Sequence, residues 1–428
     1  MTYQEALDKI NSRLLFGMKP GLERMRALMR ELGDPQEKLK FVHVCGTNGK
    51  GTVCTLTASV LRESGYRTGL NTSPYVLDFR ERFQIDGQMI SEEDLARQMD
   101  AIWPAIQRLD AQNIVVSEFE LVTAIALRWF AGEGCDIAVM EVGMGGLHDA
   151  TNIIPTPEAA AVMSISLDHT AWLGDTVEKI AREKSGIIKD GGRVVLYPEQ
   201  EPGVREVVQE ACARHGAQLR IPDLSAIRIL KESIDGADLE ADGLRLHTPF
   251  LGAHQEKNAA VALEVARLLR ERGFAISDRA LAEGFRKAFI PARMEVLSHR
   301  PLCLLDGGHN PGCAVVLKAA LERFVPGRRV AVMGMMADKD SAAALATVGP
   351  LFDRIITVRP ENPRSLSAED LAAGAGRFCR EARPAESCEQ ALAMAMDGLD
   401  EEDALVVCGS FYLAGEMRPL LLRKFSGS

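Results

Sequence analysis

The sequence alternates short, continuously apolar segments with longer segments of helical pattern over most of its 428 residues. Strands that are apolar throughout are typical of parallel sheets covered by helices on both faces. The predicted strands are residues 41–44, 136–142, 160–165, 194–197, 302–306, 330–333, 355–358 and 405–408. The predicted helices include residues 52–64, 118–130, 176–187, 258–272 and 313–324. The pattern therefore predicts an α/β fold with mainly parallel sheets.

Two Asp-Gly pairs interrupt this alternation and predict hairpin turns. They are residues 86–87 and 242–243, and extended segments flank each of them. The second pair lies in the middle of residues 228–249, which we therefore expect to form a small antiparallel insertion in the N-terminal part of the chain.

A domain boundary is expected near residues 291–298, because a new alternation of strand and helix begins after them. The N-terminal α/β domain is predicted to span residues 1–295. A smaller, Rossmann-like α/β domain is predicted to span residues 296–428. Both lengths are typical of domains with their own hydrophobic core.

Composition and charge exclude several classes of protein. Hydrophobic residues make up 46% and charged residues 26% of the chain, which excludes a disordered or collagen-like protein. No apolar run approaches a bilayer span and no secretory signal is visible, so no membrane partner is expected. The net charge of −10, without a dense Lys/Arg block, disfavours nucleic-acid binding. The nine cysteines include no C-x-x-C pair, so a zinc site or disulfide framework is not expected and a reducing cytoplasm fits best.

Residues 42–52 combine an apolar strand, a glycine-rich loop and the start of a helix. The glycines at 46, 49 and 51 allow successive backbone N–H groups to face phosphate oxygens. Lys50 adds a mobile positive charge and Thr52 adds a hydroxyl. The generic P-loop has Ser or Thr directly after its lysine, whereas Gly51 intervenes here. A glycine-rich surface turn is the alternative, but the order of strand, loop, lysine and helix favours a phosphate site.

A carboxylate ends the predicted strand 136–142. Glu141 precedes the glycine turn 143–146, at the sheet edge where open α/β folds bind ligands. Oxygen donors of this kind suit Mg²⁺. His169 follows the next strand, 160–165. A lone histidine is more often structural, but its position one strand along from Glu141 favours a metal ligand.

Lys184 lies in an otherwise apolar helical stretch at residues 180–187. A lysine in such a stretch usually extends to solvent. If it is buried, its pKa shifts or its charge is neutralised, and covalent modification is one route to that. The chemistry of the sequence alone leaves Lys184 unassigned.

The predicted C-terminal domain repeats the arrangement of strand, acidic residue and glycine turn. Asp306 ends a strand and precedes two glycines and His309, and it suits hydrogen bonds from a ribose. Glycine and polar residues also follow two further strands, at 334–339 and 409–412. Three such strand ends indicate a cleft that faces the phosphate loop. Arg293, in the predicted linker, either closes over phosphate there or is a solvated, ion-paired arginine.

Taken together, these motifs resemble the folylpolyglutamate synthase/dihydrofolate synthase family, which belongs to the Mur-ligase-like, ATP-dependent, amide-forming ligases. The resemblance extends in order along almost the whole chain. It rests on residues 46–52 (GTNGKGT), 72–74 with 79–82, 117–120, 141–146 with 149–152, 167–169 with 173–174, 183–187, 254–255 with 258–259, 306–311 and 409–415.

The resemblance implies a ligase that adds L-glutamate to the γ-carboxylate of tetrahydrofolate through an acyl phosphate. It implies ATP and Mg²⁺ as cofactors, small-molecule substrates (reduced folate, L-glutamate and ATP) and a monomer in the cytoplasm. Residues 1–295 then correspond to the ATP-binding, central Mur-ligase-like domain, and residues 296–428 to the C-terminal one. Glutamate addition to dihydropteroate, the dihydrofolate synthase activity, stays open at this point.

The resemblance also implies roles for individual residues. The set for the ATP phosphates is Asn48, Gly49, Lys50, Gly51 and Thr52, and the set for the rest of the nucleotide is Asn258, Arg293 and Asp306. The set for Mg²⁺ is Ser73, Glu141 and His169, with Lys184 as a carbamate that helps to hold a second ion. The set for folate and glutamate is Arg82, Phe119, Glu120 and His309. Of these residues, Lys50, His169, Lys184 and His309 are implied to be catalytic.

The chain departs from the family pattern at a few positions. Tyr75-Val76 stands where many members have His-Leu, and Gly308 replaces a usual alanine. Leu147-His148 stands where many members have Arg-Leu, at the place where bifunctional members contact dihydropteroate, and Lys19-Pro20 replaces Asp-Leu. Two alternatives stay open: a Mur-type cell-wall ligase, which the phosphate loop and residues 117–120 disfavour, and a nucleotide-binding protein without ligase chemistry.

Overall fold

The computed structural model describes residues 1–16, 21–168 and 170–425. Its strands are β1 Lys40–Cys45, β2 Thr68–Asn71, β3 Phe83–Ile85, β4 Gln88–Met89, β5 Ile137–Glu141, β6 Ala159–Val162, β7 Arg193–Leu196, β8 Gln218–Arg220, β9 Ile227–Ser233, β10 Gly236–Ala241, β11 Leu244–Thr248, β12 Glu295–His299, β13 Leu302–Asp306, β14 Arg329–Met333, β15 Arg354–Thr357, β16 Glu381–Pro384 and β17 Ala404–Cys408. Its helices are α1 Tyr3–Asn11, α2 Glu23–Glu31, α3 Lys50–Glu63, α4 Glu92–Ala111, α5 Glu118–Gly132, α6 Thr170–Leu173, α7 Val177–Lys184, α8 Pro202–Arg214, α9 Ala253–Glu271, α10 Asp278–Lys287, α11 Pro311–Phe324, α12 Ser341–Val348, α13 Ala368–Ala375, α14 Cys388–Met396 and α15 Phe411–Phe425. None of the helices in these ranges is long and apolar enough to cross a membrane.

An eight-stranded sheet, in the order β4-β3-β2-β5-β1-β6-β7-β8, forms the centre of the N-terminal part. The strands from β2 to β8 in this order are parallel. In the described sheet, β3 runs antiparallel to β2, and β4 runs antiparallel to β3. The apolar side chains of the inner strands pack against helices on both faces. The continuous apolar runs of the sequence correspond to these doubly covered strands, and the predicted α/β class is confirmed.

Both predicted hairpins are present. Asp86 and Gly87 connect β3 to β4 with φ angles of 52° and 78°, and Asp242 and Gly243 connect β10 to β11 with 51° and 77°. Two consecutive residues with positive φ form the turn that suits a two-residue hairpin. The second hairpin belongs to a three-stranded antiparallel sheet, β11-β10-β9, which is the expected small insertion.

A six-stranded sheet, in the order β12-β13-β17-β14-β15-β16, forms the C-terminal part. Its strands are parallel except for β12, which pairs antiparallel with β13. The first strand of this sheet begins at Glu295. The boundary between residues 295 and 296 stays a prediction.

Glu295 anchors this first strand to the last helix. Its carboxylate accepts hydrogen bonds from Arg418 Nε at 3.0 Å and Nη2 at 2.8 Å, and from the Ala292 N–H at 2.9 Å. The Glu295 side chain is only 6% exposed. This paired and buried carboxylate therefore holds α15 against the start of β12.

We expect Glu295→Ala to lower the free energy of unfolding by about 3 kcal/mol, because it leaves a half-buried guanidinium without its partner. Thermal unfolding followed by circular dichroism measures the effect. Glu381→Ala, which breaks the more exposed pair with Arg383, is the control and should cost less than about 1 kcal/mol. Equal losses in the two variants would contradict the assignment.

Candidate active site

The glycine-rich loop connects β1 to α3 at the carboxyl edge of the large sheet. Gly46 has φ of +144°, and a Cβ there would lie 2.5 Å from Met163 Cβ. Gly49 is the N-cap residue of α3 and has φ of +84°. Because glycine has no side chain, it does not cap the N–H groups of the first turn. The Thr47 N–H donates to Ser164 O at 2.7 Å and anchors the loop beside β6. The loop thus presents a helix N-terminus and its N–H groups, the arrangement that binds phosphate.

Lys50 folds back over this loop. Its Nζ donates to Thr47 O at 3.2 Å and lies 4.0 Å from Glu141 Oε1. Gly51, on the first turn of α3, faces the same carboxylate, since a Cβ there would lie 3.7 Å from Glu141 Oε2, an ordinary contact distance. The lysine charge is therefore held between the loop and a carboxylate.

Glu141 ends β5 and is only 5% exposed. Burial raises the pKa of its carboxyl group, while the Lys50 charge and the hydrogen bond from the Ser73 N–H, at 3.2 Å, act in the opposite direction. Ser73 follows β2, the strand next to β5. The structure thus brings Lys50, Ser73 and Glu141 together.

Lys184 is buried, with only 4% of its surface exposed, at the end of α7. Its Nζ donates to Gly46 O at 2.9 Å, on the phosphate loop. Burial is the main reason why the pKa of its amine is lowered. The lysine that the chemistry of the sequence left unassigned is therefore a buried amine beside the loop.

Three of the residues named from the sequence lie outside the described residues: Lys19, Pro20 and His169. Within the described ranges, no group of three or more His, Cys, Asp and Glu side chains could hold a metal ion.

The C-terminal part contributes Asp306 and Arg293. Asp306, at the end of β13, is 6% exposed and accepts hydrogen bonds from the Met294 N–H at 3.2 Å and the Gly308 N–H at 3.1 Å. The Arg293 guanidinium lies over the Phe411 ring, with Cζ 4.7 Å from its centroid. Burial raises the pKa of the Asp306 carboxyl group, and the Arg293 charge opposes that rise, as it does at Glu141. Of the two interpretations left open for Arg293, the geometry favours a cation placed near the carboxylates of Asp306 and Glu141.

Asn258 and His309 complete this side. Asn258, 2% exposed on α9, lies against the loop, because a Cβ at Gly49 would be 2.5 Å from its Oδ1. The His309 ring lies beside Phe411, with 5.6 Å between the centroids. Burial lowers the pKa of His309, so the imidazole is neutral near pH 7.

Arg82 lies on the other side of Glu141. Its guanidinium is 5.4 Å from the centroid of Tyr75 and 3.8 Å from Glu118 Oε1. Burial raises the pKa of Glu141, and the Arg82 charge is among those that oppose this rise. Arg82 therefore contributes positive potential to the same region as Lys50.

A cleft lies at the glycine turn that follows Glu141. Its lining residues are Arg24, Ser117, Phe119, Glu120, Met144, His148, Asp149, Ala150, Trp172, Leu173 and Glu183. Phe119 packs over Gly143, where a Cβ would be 2.4 Å from the ring. The cleft therefore combines aromatic faces with a few buried polar groups, which is typical of a site for a flat heterocyclic ligand.

Glu120 lines this cleft, but its carboxylate is already engaged. It accepts hydrogen bonds from the Ser117 N–H and hydroxyl, both at 2.8 Å, and it pairs with Arg24 at 3.1 Å. These bonds cap α5 and tie it to α2. The structure therefore gives Glu120 a structural function and leaves its predicted folate contact a proposal.

The sequence analysis assigned no function to Asp149, Arg24 or Trp172, all of which line the cleft. Asp149 belongs to one of the motifs that carried the resemblance, and its position after a glycine turn is a signal that could have selected it. Arg24 and Trp172 reach the cleft from α2 and α6, and no local pattern marks them.

Comparison with known proteins identifies the family. Two family models match: the Mur ligase middle domain at residues 110–266 and the Mur ligase glutamate ligase domain at residues 292–411. A dihydrofolate synthase/folylpolyglutamate synthase of Bacillus subtilis is 35% identical over 379 residues, covering 86% of this chain and 88% of that protein. A probable bifunctional folylpolyglutamate synthase/dihydropteroate synthase of Haloferax volcanii is 34% identical over 98% of this chain, which spans about half of that protein (50%).

A solved structure agrees with these sequence matches. Folylpolyglutamate synthase of Mycobacterium tuberculosis, complexed with ADP, superposes with a TM-score of 0.86 at 30% identity, covering 98% of both chains. The order of motifs, the fold and the extent of these matches lead to one conclusion: the chain belongs to the folylpolyglutamate synthase/dihydrofolate synthase family of Mur ligases.

Proposed function

We propose that the chain is an ATP-dependent ligase that joins the γ-carboxylate of a reduced folate to the amino group of L-glutamate. The observation that carries the proposal is the convergence of two sites at one sheet edge. Lys50 of the phosphate loop lies 4.0 Å from Glu141, and the cleft lined by Phe119 and Asp149 includes Met144 of the turn that follows Glu141. The family membership and the ADP complex of the mycobacterial relative support the same assignment.

The reaction has two steps: the folate carboxylate first reacts with ATP, and the amino group of glutamate then reacts with the acyl phosphate. A carboxylate oxygen of folate bonds to the γ-phosphorus of ATP and ADP leaves; the nitrogen of glutamate then bonds to the acyl carbon and phosphate leaves. Lys50 and Arg293 reduce the repulsion in the first step, and the N–H groups of α3 orient the phosphates. The neutral ring of His309 is suited to accept the proton that the glutamate ammonium must release before it attacks. No covalent enzyme nucleophile is needed.

The residues present fit Mg²⁺ at this position. Mg²⁺ is usually bound by one or two carboxylates together with phosphate oxygens and water, so a large protein cluster is not required. Glu141 is a buried carboxylate with a cation at 4.0 Å and the Ser73 segment beside it. Ser73, Glu141 and His169 are proposed to hold the ion, which neutralises phosphate charge when it is bound.

Lys184 is proposed to carry a carbamate. Burial lowers the pKa of its amine, and the neutral amine is the form that bonds to CO₂, releasing a proton and leaving a carboxylate on Nζ. The product adds an anionic oxygen donor next to Gly46, where a second Mg²⁺ is proposed to lie. The modification would remove the cost of a buried positive charge.

The remaining parts of the proposal follow from the family. Asn48, Gly49, Gly51 and Thr52 are proposed to contact the ATP phosphates, Asn258 and Asp306 the nucleoside, and Arg82 and His309 the incoming glutamate. A monomer in the cytoplasm, without a nucleic-acid or membrane partner, stays a prediction. Addition of the first glutamate to dihydropteroate is a second candidate activity, favoured by the double name of the Bacillus relative.

The test is ADP release by the purified protein with ATP, Mg²⁺ and L-glutamate. We expect release with tetrahydrofolate and no release without an acceptor. Release with dihydropteroate as well would establish the bifunctional enzyme despite Leu147 and His148. If neither acceptor increases the release of ADP, the proposal is rejected. The cell-wall ligase and the nucleotide-binding protein without ligase chemistry then remain as the alternatives.

A further inference from the structure

A fully buried histidine on the central strand has no function in the mechanism above. His43 lies on β1 with 0% of its surface exposed, and its Nε2 is 2.9 Å from Thr151 Oγ1. Its Nδ1 has no hydrogen-bond partner among the described residues. A buried polar atom without a partner costs about 1–3 kcal/mol, which an apolar side chain at this position would avoid. Stability therefore does not explain the imidazole.

The hydrogen bonds of Thr151 determine which nitrogen of His43 carries the proton. Burial raises the pKa of the Asp149 carboxyl group, but hydrogen bonds from Met144 and Thr151 oppose that rise. Backbone N–H groups donate to both of its oxygens, so both act as acceptors, and the Thr151 hydroxyl, 2.5 Å from Oδ1, donates to it. The hydroxyl oxygen then accepts from His43 Nε2–H. Burial lowers the pKa of His43 to about 3, so the ring is neutral and Nδ1 carries no proton. His43 Nδ1, the atom without a partner, is therefore an acceptor. Hydrogen bonds are donated from His43 to Thr151 and from Thr151 to Asp149.

Of the three hydrogen-bonded residues, Asp149 is the one that lines the cleft. It is 6% exposed and lines the cleft together with Phe119 and His148. Its Oδ1 accepts from the Thr151 N–H at 2.9 Å and the Thr151 hydroxyl, and its Oδ2 accepts from the Met144 N–H at 2.9 Å. Because donors hold both oxygens, the plane of the carboxylate is fixed relative to the cleft.

We propose that His43 and Thr151 are positioning residues for the acceptor site. His43, through the Thr151 hydroxyl, holds the Asp149 carboxylate in the orientation in which it accepts hydrogen bonds from N–H groups of the acceptor's heterocycle. Since Oδ1 already accepts two hydrogen bonds from Thr151, a ring N–H or amino group of the heterocycle is expected to donate to Oδ2. A preoriented acceptor loses less free energy on binding than one that must be ordered by the ligand. The inference rests on the proposed function for the class of acceptor.

Two substitutions break the series of hydrogen bonds from His43 to Asp149, and two conservative substitutions keep it. We expect His43→Leu and Thr151→Val to raise KM for tetrahydrofolate by about 10-fold, the equivalent of one hydrogen bond. The kcat value and the KM values for ATP and glutamate should change less than about 2-fold. His43→Gln retains an N–H donor and Thr151→Ser retains the hydroxyl, so both should return KM toward the wild-type value.

Stability and coupling separate positioning from a structural effect. His43→Leu should melt at or above the wild-type temperature, because it removes the unpartnered Nδ1. In an Asp149→Asn background, His43→Leu should raise KM no further, since residues that act through one group are not additive. Unchanged KM in His43→Leu, a fully additive effect with Asp149→Asn, or equal losses for all three substrates would each overturn the inference.

A binding titration makes the inference independent of turnover. Quenching of intrinsic fluorescence by tetrahydrofolate, to which Trp172 in the cleft can contribute, gives Kd without ATP or glutamate. We expect Kd to rise about 10-fold in His43→Leu, parallel to KM. If the wild type binds tetrahydrofolate but does not release ADP, the proposed function fails while the shift in Kd still decides the inference. If Kd is the same in both proteins, the inference fails whatever the activity.

Discussion

Lys184→Ala should lower glutamate-dependent ADP release by about 100-fold or more, the loss typical when a group that stabilises transition-state charge is removed. The amine is buried against Gly46 O at 2.9 Å, so no solvent ion readily replaces it. Lys184→Met fills more of the same space without an amine and should lose as much activity. Because folding already lowers the pKa of this lysine, a charged amine costs stability at neutral pH, and the methionine variant should be no less stable than the wild type.

The carbamate can be detected directly, apart from its effect on activity. Labelled bicarbonate should give a carbamate signal in the nuclear magnetic resonance spectrum of the wild type that is absent from Lys184→Met. Lys179→Ala is the matched control, since Lys179 lies on the same helix but is exposed and paired with Asp175. Retained activity in Lys184→Ala would reject the catalytic assignment, whereas lost activity without a carbamate signal in the wild type would reject the modification alone.

Glu141→Gln should lower kcat by about 100-fold and increase the Mg²⁺ concentration needed for half-maximal activity. Glutamine keeps the shape and can still accept the hydrogen bond from the Ser73 N–H. It lacks the charge that compensates Lys50 and attracts a divalent cation. The uncompensated lysine should also weaken the response of the rate to Mg²⁺, because the local potential becomes more positive.

The measurement is kcat as a function of Mg²⁺ concentration, together with the melting temperature. Glu133→Gln is the control, since Glu133 is exposed and its pair with Arg67 is remote from the site. A Glu141→Gln enzyme with the kcat and the Mg²⁺ profile of the wild type would remove Glu141 from the metal site. A lower melting temperature with a normal Mg²⁺ profile would make it a structural residue.

Much of the fold follows from local patterns. The strands that are apolar throughout, the two hairpins and the loop before α3 were predictable because each depends on a few consecutive residues. Short polar strands were not predictable: β2 contains Gly69 and Asn71, and the edge strand β16 is mostly polar. Such segments become strands because a neighbouring strand supplies hydrogen bonds, and their own side chains carry little signal.

The residues of the candidate site also divide into those that local patterns indicate and those that only tertiary contacts reveal. By itself, the sequence determined where a phosphate loop begins and which strand ends carry Glu141 and Asp306, since glycine conformations and apolar runs are local properties. Only the tertiary structure decided that Lys184 reaches Gly46, 138 residues away, and that Glu120 is engaged by Arg24. It also decided that His43 and Thr151 support Asp149. These contacts depend on the order in which strands pair, and that order is set by packing across the whole sheet, which no local pattern encodes.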